Sequence, residues 1–264
     1  MPPRLRLSAP LLIAFLGCAP EALCASLIYD VDFSSPTHLV GEPPALGAGP
    51  LPRATPTSLS TNTSTATVVA GFGALSDQPL LLEGTSGITL TTVRFVLNDV
   101  ETGIFDYHTI ELDVLVDALS SLSTFSVFVD STQINRLTFS PFNEISGTGA
   151  ISVTNSIHGI QTIGSYQAGD VVSVAIDFDE VAQTWSIRLD GTPVFSDDAV
   201  VTGQPAVRLV LQRSAATAAD HRAAVDNFSI TSVPEPGRGA LTLSALAALG
   251  ACVAARKKPE AATG

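Results

Sequence analysis

Apolar residues recur at every second position through the middle of this chain, and that spacing restricts its fold more than any other feature. Val93, Phe95 and Leu97 alternate with Thr92, Arg94 and Val96, while Ile110, Leu112, Val114 and Val116 alternate with Glu111, Asp113, Leu115 and Asp117. The spacing returns in Val172, Val174, Ile176 and Phe178, in Trp185, Ile187 and Leu189, and in Val207, Leu209 and Leu211. Successive side chains of an extended backbone point to opposite faces, so each segment is expected to be a strand with one buried face. Asp190-Gly191 is the expected hairpin turn between Trp185–Leu189 and Val194-Phe195. Gly147, Gly149, Gly164 and Gly169 punctuate the middle of the chain, and no segment from Ser26 to Ser232 carries a helical period. Many short strands separated by turn residues predict an all-β, two-sheet antiparallel β-sandwich. Residues 34–64, rich in Pro, Gly, Ser and Thr, are expected to form a long surface loop after the first strand.

The chain has 264 residues, 45% apolar and 14% charged, which excludes wholesale disorder. Between Ser26 and Ser232 stand seven Arg, no Lys and 22 acidic residues, a net charge of −15. Such a domain repels phosphate backbones, so nucleic acid is excluded as a partner. Cys18, Cys24 and Cys252 all fall outside that span, leaving it without a disulfide and dependent on its core.

The ends read as targeting segments. Residues 1–25 begin with Arg4 and Arg6, continue through the apolar run Leu11–Leu16 and end in Ala22-Leu23-Cys24-Ala25, the pattern of a secretory signal peptide. A lipoprotein signal at Phe15-Leu16-Gly17-Cys18 is the alternative, although Phe15 stands where that motif has Leu. A buried helix is excluded by the short run and by Pro2, Pro3, Pro10 and Pro20. Near the other end, Gly239–Ala255 is 17 residues without a charge, followed by Arg256, Lys257 and Lys258. At about 1.5 Å per residue the run is just long enough for a transmembrane helix, with the basic cluster on the cytoplasmic side.

Val233-Pro234-Glu235-Pro236 immediately precedes that run. Motif, apolar helix and basic stop together resemble the PEP-CTERM sorting signal of Gram-negative bacteria. The resemblance implies that signal peptidase and an exosortase act on the chain. It also implies an inner-membrane intermediate and delivery to the cell surface or extracellular polysaccharide. The chain departs from that pattern in having Arg-Lys-Lys rather than mostly Arg, and in continuing from Pro259 to Gly264. A plain C-terminal anchor with a stiff Pro-rich linker is the competing reading.

The span 26–232 also resembles concanavalin A-like, laminin-G-like jelly rolls. The residues that carry this are Tyr29–Phe33, Glu111–Val116, the Gly169-to-Gly191 segment and Ala224–Ile230. Glu111, Asp113 and Asp117 are expected on one strand face. Laminarinase-like glucanases share the jelly roll and place their catalytic carboxylates in a Glu-x-Asp-x-(x)-Glu pattern. Here Leu115 or Val116 stands where the last Glu would be, leaving no acid to protonate a leaving oxygen. Arg94 is expected to pair with Glu111 or Asp113 across a hairpin centred near Thr102.

Tyr107 shares that face and is the candidate sugar platform, whereas Trp185 is expected in the core. Calcium is a candidate ligand of Asp30 and Asp32, of Asp177, Asp179 and Glu180, or of Asp226 and Asn227. His38, His108, His158 and His221 show no ligand or triad spacing, and no Gly-x-Ser-x-Gly or phosphate loop occurs. The expected role is a non-catalytic surface or matrix component with polysaccharide as candidate ligand. The alternatives are a glycan-active hydrolase and a structural or adhesive protein without a specific ligand.

Overall fold

The computed structural model describes residues 26–34, 36–47, 53–84, 88–97, 107–119, 122–130, 135–142, 146–155, 158–179, 182–198, 205–214 and 220–233. The signal segment, Pro234, Glu235, Pro236, the apolar run and the basic stop lie outside these, as do Thr102 and Glu180. No helix among the described residues is long and apolar enough to cross a membrane. Ser26–Val233 forms one compact unit.

That unit is an antiparallel sandwich, as the alternation requires. Its strands are β1 (Ser26–Val31), β2 (Ser58–Asn62), β3 (Thr65–Val68), β4 (Leu80–Gly84), β5 (Thr89–Val96), β6 (Tyr107–Ala118), β7 (Ser123–Asp130) and β8 (Arg136–Phe142). There follow β9 (Thr148–Asn155), β10 (Gly159–Gln167), β11 (Val171–Asp179), β12 (Thr184–Leu189), β13 (Thr192–Asp198), β14 (Pro205–Arg213) and β15 (His221–Val233). Sheet A runs β13-β12-β11-β6-β15-β4-β3, with β1 also paired to β15, and sheet B runs β10-β9-β8-β7-β14-β5-β2.

The inner faces carry the residues whose spacing announced them. Ile110, Val114, Ile176 and Ile187 of sheet A and Val93, Phe125, Val127, Val207 and Leu209 of sheet B are fully buried. Phe95 and Phe228 stack across the two sheets at 4.2 Å between ring centroids, and Tyr29 meets Phe95 edge-on at 5.3 Å. Trp185 is buried as expected, its ring edge-on to Phe195 at 5.1 Å.

The turn at Asp190-Gly191 has positive φ at both residues, 49° and 73°, the geometry whose twist suits a two-residue hairpin. Three expectations need correction. Residues 58–62, placed in the long loop, form the edge strand β2, whose single apolar side chain, Leu59, is too weak a pattern to announce it. Gly149 and Gly164 lie inside strands β9 and β10 rather than in turns; a Cβ on Gly149 would meet the Tyr166 ring at 2.3 Å. Arg94 cannot pair across a β5–β6 hairpin, because β5 belongs to sheet B and β6 to sheet A. The connection between them passes from one sheet to the other, and the two strands turn their polar sides in opposite directions.

Candidate functional site

The outer face of sheet A holds the residues that the carboxylate pattern singled out. On β6 the even positions His108, Ile110, Leu112 and Val114 are buried. Tyr107, Thr109, Glu111, Asp113, Leu115 and Asp117 therefore share the opposite side. Pairing with β11 places Glu111 opposite Ala175 and Asp113 opposite Ser173, and β12 places Arg188 beyond Ala175. The small Ala175 between a carboxylate and a guanidinium leaves a groove of about 310 Å³, lined also by Asp113, Ser173, Gly191 and Asn227.

A break in β15 completes the groove. Strict alternation backwards from Ile230 and Phe228 would turn Asp226 toward the core and Val225 away from it. The chain avoids both outcomes with a bulge: register shifts between Asp226 and Ser229, and Asn227 takes φ 50°. The extra residue resets the alternation, so Val225 and Phe228 both face inward while Asp226 and Asn227 belong to the outer side. Asn is among the few residues that tolerate this conformation. Asn227 Nδ2 then donates to Asp113 Oδ2 at 2.8 Å, and Ser173 Oγ donates to Asp113 Oδ1 at 2.5 Å. Asp113 is thereby held in place by two donors, and Glu111 beside it is exposed to solvent.

The other two expected residues share the face without lining the groove. Tyr107 is bonded to Asp177, and its phenol is pushed above its ordinary range first by burial and then by the Asp177 charge. Asp177 also accepts from Thr109 Oγ1 at 2.9 Å and lies 3.4 Å from the Arg188 guanidinium. Asp117 is separated from Asp113 by Leu115, which is buried with Leu75 and Ala224 beneath Phe72 and Leu81. The segment around Phe72 and Leu75 thus covers one end of the face, and Asp117 pairs there with Arg222.

Leu115 and Val116, the two candidates for the missing last position of the Glu-x-Asp pattern, are both buried. The groove can offer carboxylate acceptors, the Ser173 hydroxyl, the Asn227 amide and one guanidinium to the hydroxyls of a ligand. Sequence reasoning missed Ser173, Arg188 and the role of Asn227. The readable signal was Asp226-Asn227, two turn-favouring residues in the middle of an apolar strand.

Candidate calcium ligands divide into two places. Asp30, Asp32 and Asp226 line a second depression of about 230 Å³ with Ser34, Asp77 and Asn227. Asp32 Oδ1 accepts from the Ser34 amide at 2.8 Å, and Asp226 Oδ1 from the Asn227 amide at 2.9 Å. The Asp226 carboxyl is pushed above its ordinary range chiefly by burial, and further by the charges of Asp77, Asp113 and Asp32. Asp177 and Asp179 lie elsewhere, Asp179 capping the Ala182 amide at 2.7 Å. Among the described residues no group of three or more His, Cys, Asp or Glu side chains is arranged to hold a metal ion.

Of the histidines, three act inside the fold. His38 Nδ1 accepts from the Ala45 amide while Nε2 meets the Ala54 carbonyl at 2.8 Å. His108 pairs with Ser232, and His221 with Thr89 at 2.5 Å.

No protein-family model matches the chain, and no curated protein matches it. Solved structures do. A sialidase aligns with 78% of this chain at 13% identity and TM-score 0.50, and this chain spans only 18% of it. A carbohydrate esterase from the Shiga toxin-encoding bacteriophage phi24B aligns with 66% of this chain and 89% of its own, at 12% identity and TM-score 0.48. The lectin UEA-II complexed with galactose aligns with 67% of this chain and 94% of its own, at 14% identity and TM-score 0.45. At 13% identity the likeness to the sialidase is one of fold alone.

Proposed function

We propose that the chain is an exported surface or matrix protein whose sandwich binds an uncharged polysaccharide along the outer face of sheet A without cleaving it. The groove at Glu111, Asp113, Ser173, Arg188 and Asn227 carries this reading. It is a trough of mixed polar and apolar lining whose principal carboxylate, Asp113, is immobilised by Ser173 and Asn227. Carboxylates at fixed positions accept hydrogen bonds from sugar hydroxyls and repel anionic chains, which favours a neutral glycan. Hydrolysis is disfavoured because Leu115 or Val116, both buried, stands where the acid/base would be.

Export and sorting rest on the sequence of the two ends. β15 ends at Val233, and Pro234 follows, a residue with no amide to extend the ladder. The proposed motif Val233-Pro234-Glu235-Pro236 thus begins on the last residue of β15. Mass spectrometry of the cell-released protein is expected to find a C-terminus near Pro234 to Gly237. Recovery through Gly264 would make the tail a permanent anchor.

The binding test is retention of the purified protein by a panel of uncharged polysaccharides, with calcium and with chelator, while released reducing ends are measured. Retention without product supports the proposal, and loss under chelator adds calcium to it. Product release would establish a hydrolase, and no retention would leave a structural matrix protein.

A further inference from the structure

The opposite face of the sandwich has a different chemistry. Across the outer side of sheet B one register row runs Ser58, Arg94, Arg208, Phe128, Arg136 and Thr154, through β2, β5, β14, β7, β8 and β9. Three of the seven arginines between Ser26 and Ser232 thus stand in one line, with neighbouring strands about 4.8 Å apart. Acidic residues are almost missing from this sheet. Its seven strands contain only Asp130, which ends β7 two positions beyond Phe128 and opposite Pro205.

Two of these guanidiniums share a ring. Arg208 lies 4.9 Å and Arg136 5.9 Å from the Phe128 centroid, and Phe128 is buried beneath them. Stacking fixes their orientation, so less freedom is lost when they meet an anion. Covering Phe128 accounts for Arg208 and Arg136 but not for Arg94, which stands on the far side of Arg208. Arg94 has no carboxylate partner among the described residues, and its Nε is buried without a hydrogen bond. Beside it opens a groove of about 420 Å³ lined by Ser58, Ser60, Thr92, Arg94 and Arg208.

We infer that the outer face of sheet B is a second glycan-binding surface, for polysaccharide bearing carboxylate or sulfate groups. Arg94 and Arg208 are the anion contacts, because a guanidinium fork matches the paired oxygens of such groups. Ser58, Ser60 and Thr92 supply hydroxyls to the sugar. Nucleic acid fits less well, because the aromatic ring of the row is covered rather than open to a base. The surface is independent of the sheet A groove, and either can fail without the other.

Affinity electrophoresis tests it, with the full-length chain in mild detergent run through gels containing polygalacturonate, dextran sulfate or uncharged dextran. Retardation by polygalacturonate or dextran sulfate is expected, weakening as salt rises. The double variant R94Q/R208Q is expected to lose at least about tenfold in affinity, roughly 1.4 kcal/mol, and R94Q alone a smaller part of it. E83Q, a charge change on the other sheet, is expected to leave retention as in the unchanged protein. R94Q does not disturb the packing on Phe128, so it decides the matter even where the double variant fails to fold. Absence of retardation by both anionic polymers, retention insensitive to R94Q, or equal retention by single-stranded DNA would each overturn the inference.

Discussion

The two outer faces of this sandwich are made from the same alternation and a single core, yet they carry opposite charge. The strands of sheet A contain ten acidic residues and two arginines, Arg188 and Arg222. Those of sheet B contain one acidic residue and four arginines, of which Arg213 is fully buried. Every second residue of a strand is required by the core and the others are free, so one fold can present two unrelated surfaces. The overall charge hides this division, because sheet A and the loops outweigh sheet B.

The largest expected effect breaks both faces together. Phe95 stacks on Phe228 of the other sheet and meets Tyr29, so Phe95→Ala should cost about 3–5 kcal/mol in urea unfolding. Next comes a change confined to sheet A. Leu115→Ala removes the seat of Leu75 and Phe72 and should cost about 2–3 kcal/mol. Retention by anionic polysaccharide, read on the other face, should persist wherever the variant stays folded.

Asn227→Val should cost about 1–2 kcal/mol, because a β-branched residue is forced to positive φ. Asn227→Gly keeps the backbone at ease and loses only the bond to Asp113, so the difference between the two variants measures the bulge itself.

The smallest effect concerns Asp226. Its carboxyl is raised by burial and by Asp77, Asp113 and Asp32, so the ionised form is the costly one in the folded state. Stability contributed by the protonated group is present at acid pH and is lost as pH rises through the raised value. Asp226→Asn should therefore raise the melting temperature at neutral pH, with the gain vanishing below the ordinary carboxylate range. A neutral-pH loss would mean that the carboxylate is needed, as a cation ligand would be.

Much of this fold was legible because burial imposes a period. Trp185, Ile187 and Leu189 on the core side, the Asp190-Gly191 turn and the shared face of Glu111 and Asp113 all follow from alternation and turn chemistry. Beyond the β12–β13 hairpin, strand pairing was not legible, since it depends on which sheet each strand joins. For that reason Arg94 was assigned a partner that lies on the other sheet. Polar edge strands such as β2 carry too little apolar pattern to be seen. The candidate groove was half visible: its carboxylates stand on one strand, whereas Ser173, Arg188 and Asn227 come from three others.

The central claim is that the two faces bind different glycans, and competition tests it most directly. The protein is first saturated with an uncharged polysaccharide that retains it, and its affinity for polygalacturonate is then titrated. Two separate faces predict an affinity for polygalacturonate that is unchanged by the neutral ligand. Mutual exclusion of the two glycans, or failure of either to bind, would contradict the account.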